Sequence, residues 1–237
     1  SMERLKKTKK VSKFIAYFQT YTNTYAPVDI LKKTYDTVLK YPEIVGLSIS
    51  TRPDCVDKEK LDLIESYSDS LDVWVEYGLQ SRHNKTLKRI NRGHTYQEFL
   101  KAVRLTQERG ISICVHVIAG LPGESRDDFL LTVRAVADLN IDGIKFHPLH
   151  ILKNTELEKI YERNQVTLWK ADYYAEVICD ALEILPQHVV IQRLTADADK
   201  NLLVAPKWCR KQRKTEVIEL INKKLEKRKT GQGYGKG

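Results

Sequence analysis

Polar side chains recur where apolar runs of this sequence end. Gln19-Thr20, Ser50 to Asp54, Glu76 to Gln80, His116 to Gly120 and His147 to His150 each close such a run. Amides, hydroxyls, carboxylates and imidazoles hydrogen-bond ligands and transfer protons. A hydrophobic core does not require one such group after every run. The pattern therefore predicts a ligand-binding face built from these segments.

The elements that must position these groups are predicted by hydrophobic periodicity. Short β-branched or aromatic runs alternate with longer stretches of helical period, which indicates βα units in series. Such units form a parallel sheet with right-handed crossovers, curled into a full or partial barrel, with ligands at the carboxyl ends of the strands. The predicted strands are 14–19, 45–50, 73–77, 111–118, 143–147 and 189–192, and the predicted helices are 28–41, 57–66, 96–109, 126–139, 156–163 and 170–185.

Length and composition restrict the protein class. The 237 residues suffice for one α/β barrel-sized domain. The apolar runs are shorter than the roughly 20 residues of a membrane span, and the first residues lack an apolar signal-peptide segment. The four cysteines, at positions 55, 114, 179 and 209, have no close spacing of the metal or redox kind. We therefore expect a cytoplasmic protein with reduced thiols and no metal ligand set within this chain.

The net charge of +9 comes from the two ends of the chain. Residues 1–13 contain six basic residues and one acidic residue, and residues 207–237 contain eleven basic and three acidic, so the body is net acidic. Basic ends suit an enzyme that grips a polyanion, and they equally suit a solvated terminal helix. Residues 216–228 place Val217, Ile218, Ile221 and Leu225 on one helical face, which predicts an amphipathic helix.

Five motifs in order resemble the radical S-adenosylmethionine (SAM) enzymes. They are residues 17–24, 48–54, 78–81 with 90–95, 117–124, and 147–155, which span nearly the whole chain. The second is similar to the radical SAM domain of the Elongator catalytic subunit, and the whole set resembles a bacterial group of the YhcC/YtqA type. The resemblance implies an α/β fold with a partial (β/α)6 TIM-like barrel at residues 14–195. A basic segment at 1–13, opening on a tag scar, and a basic C-terminal helix with a glycine-rich tail at 196–237 flank it.

The resemblance also implies roles for eight residues at the strand ends. Arg92 would pair with the carboxylate of SAM, because a guanidinium matches a carboxylate with two parallel hydrogen bonds. Gln80 would hydrogen-bond the ribose, and the backbone at Ile118 would meet the adenine edge. The remaining SAM contacts implied are Gln19 and Thr20 at the amino group, Ser50 and a neutral His116 near the ribose or sulfonium, and Leu149 at the fifth strand end.

One part of the family pattern is missing. Radical SAM enzymes hold a 4Fe-4S cluster on a CxxxCxxC loop, and no such spacing occurs in this sequence. Relatives also often carry acidic residues at the positions of Ser50 and His116. We therefore interpret the chain as a fragment without the first strand and cluster loop. The resemblance assigns the cluster to the intact protein, and no catalytic residue is identified.

The resemblance implies a reaction and partners for the intact enzyme. The substrate would be transfer RNA, with a modified wobble uridine processed from a carboxymethylaminomethyl to an aminomethyl side chain, and flavodoxin or ferredoxin would supply electrons. Two other hypotheses stay open. The first is a metal-dependent hydrolase with His116, His147 and His150 as ligands and Glu76 as base. The second is a non-catalytic RNA-binding scaffold.

Overall fold

The computed structural model describes residues 11–19, 21–210 and 213–236. The strands are β1 (Phe14–Phe18), β2 (Ile44–Thr51), β3 (Asp72–Gln80), β4 (Ser112–Ala119), β5 (Gly143–Pro148), β6 (Ile151–Leu152), β7 (Val190–Arg193) and β8 (Leu203–Ala205). The α-helices are α1 (Val28–Tyr35), α2 (Lys58–Glu65), α3 (Asn84–Arg89), α4 (Tyr96–Gln107), α5 (Arg126–Ala137), α6 (Glu156–Glu162), α7 (Ala171–Ile184) and α8 (Lys214–Arg228).

Strands that follow one another along the chain are mostly neighbours in one sheet. Its six strands have the order β1-β2-β3-β4-β5-β7, while β6 and β8 form a separate antiparallel pair. Parallel pairing joins β1 to β2, β2 to β3 and β5 to β7. The α/β class predicted from the alternating periodicity is confirmed.

The chain divides into two compact units. The first unit comprises residues 1–78 and 97–114, and the second comprises residues 79–96 and 115–237. In the first unit, every second side chain of β2 and β3 is fully enclosed, which is the expected result when helices cover one face of a strand. The enclosed residues are Leu47, Ile49, Val75 and Tyr77, and the polar residues between them are Ser48, Ser50 and Glu76.

Three aromatic rings contact one another in the second unit. Phe129 on α5 contacts Phe146 on β5 and Trp169 edge to face, with ring centroids 6.2 and 6.3 Å apart. Val217 and Ile221 on α8 are buried, so the predicted amphipathic helix is confirmed. The turn that follows α8 continues with Thr230 Oγ1 donating to Glu183 Oε1 at 2.7 Å.

The structure differs from the prediction at the end of one helix, in an additional helix, and in the strand pair β6 and β8, which was not predicted. The helix predicted at 28–41 is α-helical only to Tyr35 and continues as a 3₁₀ turn over Asp36–Lys40. Thr34 and Thr37 donate their hydroxyls to the carbonyls of Ile30 and Thr34, and such bonds compete with regular helix geometry. Helix α3 was not predicted, because its six residues are mostly polar and show no apolar period.

Candidate functional site

A buried carboxylate lies on the polar face of the first unit. Glu76 is 3% exposed, and three hydroxyls surround it. Tyr17 Oη donates to Oε2 at 2.7 Å, Ser48 Oγ donates to Oε1 at 2.6 Å, and Ser50 Oγ lies 3.3 Å from Oε2. We call Tyr17, Ser48, Ser50 and Glu76 the hydroxyl cluster. Sequence reasoning missed it as a unit, although an acid on one face of a buried strand was a usable signal.

The predicted SAM contacts of the first unit have different surroundings. Ser50 is 8% exposed, and its hydroxyl lies 3.1 Å from Tyr17 Oη as well as near Glu76, so it is engaged within the hydroxyl cluster. Gln19 follows the end of β1 and is exposed. Thr20 lies outside the described residues.

In the second unit, β3 ends in a strained residue. Gln80 has a φ of 71°, a left-handed conformation that is rare for a non-glycine residue and often marks a functional position. The next residue is fixed, because Ser81 Oγ donates to a carboxylate oxygen of Glu124 and accepts from the backbone N–H of His83. Burial raises the pKa of Glu124. Glu124 therefore ties the loop after β3 to the loop after β4.

The loop after β4 is a tight turn that contains two glycines in the left-handed conformation. Gly120 and Gly123 have φ values of 82° and 83°. A Cβ at Gly120 would lie 3.3 Å from the Trp169 ring, and one at Gly123 would lie 2.6 Å from Arg89 Nη1. The turn leads into α5, which Ser125 caps by accepting from the backbone N–H of Asp128 at 3.1 Å.

An apolar cluster brings three of the predicted segments together. Leu149 and Leu121 are buried members of this cluster, and Ile118 and Ile90 pack against it partly buried. The backbone N–H of Leu149 donates to the carbonyl of Ala119 at 3.0 Å, which joins the ends of β4 and β5. Ile90 lies two residues before Arg92, which is half-buried, so the Arg92 segment and the ends of β4 and β5 meet in the second unit.

The face of β4 beside this cluster is only partly covered. His116 and Ile118 are half-exposed, whereas Val115, Val117 and Ala119 on the other face are enclosed. A strand inside a sheet with one half-exposed face leaves room for a ligand.

Two neighbouring imidazoles follow the end of β5. The rings of His147 and His150 are 4.6 Å apart, and His147 Nδ1 lies 2.8 Å from the carbonyl oxygen of Pro148. Burial and the proximity of His150 lower the pKa of His147 to about 4, and burial lowers the pKa of His150. Among the described residues, His116, His147 and His150 do not offer three ligand atoms within 4.8 Å of one another. This arrangement does not favour the hydrolase hypothesis.

The cysteines do not fit an iron–sulfur cluster. All four are reduced and buried, with two in each unit. Iron binds thiolates, and burial raises the pKa of Cys55, of Cys179 to about 11, and of Cys209. The residues of this chain therefore do not supply the ligands of the cluster that the resemblance implies.

Two of the five cations on α8, Lys224 and Arg228, pair with acidic residues of α7. Arg228 donates from Nη1 to Asp180 and Glu183 at 3.0 Å each and pairs with Glu176, while Lys224 Nζ lies 2.9 Å from Glu176. We call Glu176, Asp180, Glu183, Lys224 and Arg228 the ion cluster. Part of the C-terminal basicity thus holds two helices together. Across the part of the chain that the structure describes, no helix has the length and apolarity of a membrane span.

Two protein-family models match the chain. The radical SAM superfamily matches residues 2–136, and the radical SAM C-terminal domain matches residues 141–227. The protein YtqA of Bacillus subtilis is 42% identical over 224 residues, which are 94% of this chain and 69% of that protein.

More distant similarities are to proteins whose names state an activity or a known protein. A tRNA uridine(34) acetyltransferase of Methanocaldococcus infernus is 29% identical over 188 residues, 78% of this chain and 34% of that protein. Among solved structures, the archaeal Elp3 of Methanocaldococcus infernus with an N-terminal deletion has a TM-score of 0.82 at 22% identity. That match covers 98% of this chain and 58% of the solved chain, and it shows the same fold.

Proposed function

Because the chain belongs to the radical SAM superfamily, we propose that its second unit binds SAM through Gln80, Arg92, His116, Ile118 and Leu149. Enzymes of this family use SAM and a 4Fe-4S cluster. When bound beside a reduced cluster, SAM supplies a carbon radical that abstracts hydrogen from a substrate. The cysteines of this chain do not supply the cluster ligands. A one-electron donor such as flavodoxin or ferredoxin is part of the proposal.

The observation that carries this proposal is the left-handed Gln80 beside a partly covered strand face. Its conformation persists because Ser81 is bonded to Glu124 on the neighbouring loop. The side-chain amide of Gln80 can donate to and accept from ribose hydroxyls. Ile118 and Leu149 offer apolar surface for the adenine ring, and the guanidinium of Arg92 matches the amino-acid carboxylate.

Gln19, Thr20 and Ser50 stay predictions from the resemblance and are not part of the site proposed here. Gln19 is exposed and follows the end of β1. The hydroxyl of Ser50 is engaged with Glu76 and Tyr17 within the first unit.

We propose further that the substrate is transfer RNA, with a wobble-uridine side chain changed from carboxymethylaminomethyl to aminomethyl. The names of two relatives support a tRNA uridine or Elongator-type context. The chemistry is suited to a radical enzyme, because the nitrogen next to the reacting carbon stabilises a carbon radical. The basic charge of the chain favours a polyanionic partner.

Nucleoside analysis tests this substrate. Total tRNA is digested from cells that carry the gene for this chain and from cells that lack it, and the wobble nucleosides are quantified by mass spectrometry. Loss of the gene is expected to deplete the aminomethyl nucleoside and accumulate the carboxymethylaminomethyl form. Identical nucleoside profiles in the two strains would contradict the proposed reaction.

A further inference from the structure

The loop between β1 and α1 presents two tyrosines to solvent. Tyr21 is 93% exposed and Tyr25 is 81% exposed, whereas Tyr35, Tyr77 and Tyr174 are enclosed in the cores of their units. An aromatic ring contributes to stability by being buried, so these two rings add little to the fold. Exposed aromatic rings held in place are typical of binding surfaces.

The backbone that carries the two rings is firmly held within the first unit. Asn23 Nδ2 donates to the carbonyls of Phe18 and Ser50, each at 2.9 Å. Tyr35 Oη donates in turn to the carbonyl of Asn23 at 2.6 Å. Thr24 is completely buried, and its hydroxyl donates to the carbonyl of Cys55 at 2.7 Å. The loop is thus anchored on both sides of Asn23.

Tyr21 is also in an unusual backbone conformation. Its φ of 65° is left-handed, which costs free energy in a residue that is neither glycine nor asparagine. A solvent-exposed turn has no internal need for a tyrosine at such a position. A tyrosine at position 21 is therefore better explained by a contact with a binding partner than by the stability of the turn.

The loop lies at the carboxyl end of β2. Its anchors Ser50 and Thr51 are the last residues of that strand, and Ser50 belongs to the hydroxyl cluster. The loop that carries the two rings therefore lies at a strand end, where ligands of parallel sheets bind.

We infer that Tyr21 and Tyr25 form a stacking platform for unpaired nucleobases of an RNA. This inference rests on the proposed tRNA substrate and adds to it a recognition surface in the first unit. Tyrosine rings stack on any base, and they lose little conformational freedom on binding. An RNA is the partner because the unpaired bases of RNA loops are recognised by stacking on aromatic side chains, and the proposed wobble uridine is such a base.

Binding of unmodified tRNA to the whole chain, measured by fluorescence anisotropy over a range of salt concentrations, tests the inference. Tyr21→Ala and Tyr25→Ala are each expected to weaken binding about tenfold. Tyr21→Phe and Tyr25→Phe should bind like the parent, because a phenyl ring also stacks. The slope of log affinity against log salt should stay unchanged, because stacking releases no counterions.

Tyr41→Ala is the matched control. Tyr41 is 48% exposed and precedes the amino end of β2, so the same substitution is made at the other end of that strand. Thermal unfolding should be the same for all of these variants, since every ring is exposed. Affinities of the Tyr21 and Tyr25 variants equal to that of Tyr41→Ala would overturn the platform while leaving the tRNA substrate intact. A parent chain that does not bind tRNA would overturn both.

Discussion

The hydroxyl cluster and the ion cluster are both dense polar networks, and they differ in what surrounds the carboxylates. In the first unit, one carboxylate that is 3% exposed accepts hydrogen bonds from hydroxyls. In the second unit, three carboxylates on α7 pair with two cations of α8, and the side chain of Glu176 is 43% exposed. The first network lies on a sheet face, and the second joins two helices.

The hydroxyl cluster is therefore a buried hydrogen-bond network, whereas the ion cluster is a contact that joins two helices. Joining two amphipathic helices requires only their apolar faces, and ion pairs at the edge of such a contact add a modest, salt-sensitive contribution. A buried carboxylate on a strand has no such structural necessity, because an apolar residue would pack there at lower cost. Glu76 is therefore a buried acceptor held by hydroxyls, whereas Glu176 is a partly solvated member of ion pairs.

Replacing Glu76 should have the largest effect. Glu76→Ala leaves the hydroxyls of Tyr17, Ser48 and Ser50 without their shared acceptor, and we expect the free energy of unfolding to fall by about 2–4 kcal/mol. Glu76→Gln, which keeps the shape and one acceptor, should lose less. Urea denaturation measures both. A change below about 0.5 kcal/mol for Glu76→Ala would mean that the cluster is not a coupled network.

Replacing Arg228 should have a smaller effect that depends on salt. Arg228→Met removes the partner of three carboxylates and should lower the free energy of unfolding by about 1–2 kcal/mol at low ionic strength. Because these charges are partly solvated, the loss should shrink in about 1 M salt, where the Debye length is near 3 Å. Arg163→Met, at the exposed end of α6, is the control and should change little. If Arg228→Met lowered the free energy of unfolding equally at low and high salt, the ion cluster would not differ from the hydroxyl cluster in its dependence on ion pairs.

Removing the Tyr17 hydroxyl should lower the free energy of unfolding by about 1 kcal/mol. Tyr17→Phe keeps the ring and deletes the group that lies between Ser50 and Glu76. The measurement is again urea denaturation, and the loss should be the same at low and high salt because no ion pair is broken. A strong salt dependence here would contradict the hydrogen-bonding role of the Tyr17 hydroxyl.

Acid should reduce the effect of Arg228→Met on the free energy of unfolding by the part that Glu176 contributes, and this is the smallest expected change. Hydrogen bonds from Arg228 and Lys224 lower the pKa of Glu176 from its ordinary value of 4.5. Its contribution to stability is therefore present above pH 4.5 and is lost as the pH falls through the folded-state pKa. The difference between the parent and Arg228→Met should narrow below about pH 4.5. A difference that is constant down to pH 3 would rule out Glu176 as the titrating partner.

Much of this architecture was predictable from the sequence, and the limits have physical causes. Short apolar runs that alternate with helical stretches predicted the strands, because residues buried in a sheet must be apolar. The strand positions in turn placed Gln80, His116 and Leu149 near strand ends. The contacts of individual side chains were not predictable. The residues next to Glu76 and Glu176 in the sequence do not show that Glu76 accepts from hydroxyls whereas Glu176 pairs with cations. Helix α3 was missed because its stability comes from its surroundings rather than from its own period. The pairing of Arg228 with α7, like the exposure of Tyr21, depends on tertiary packing.

Calorimetric titration of the chain with SAM tests the central proposal most directly. The parent should bind SAM, and Arg92→Ala should weaken binding at least tenfold, because a charge-assisted pair with the carboxylate contributes about 1.5–3 kcal/mol. Arg163→Ala, at the exposed end of α6, should bind like the parent. Equal affinities for the parent and Arg92→Ala, or no SAM binding by the parent at all, would contradict the proposed site.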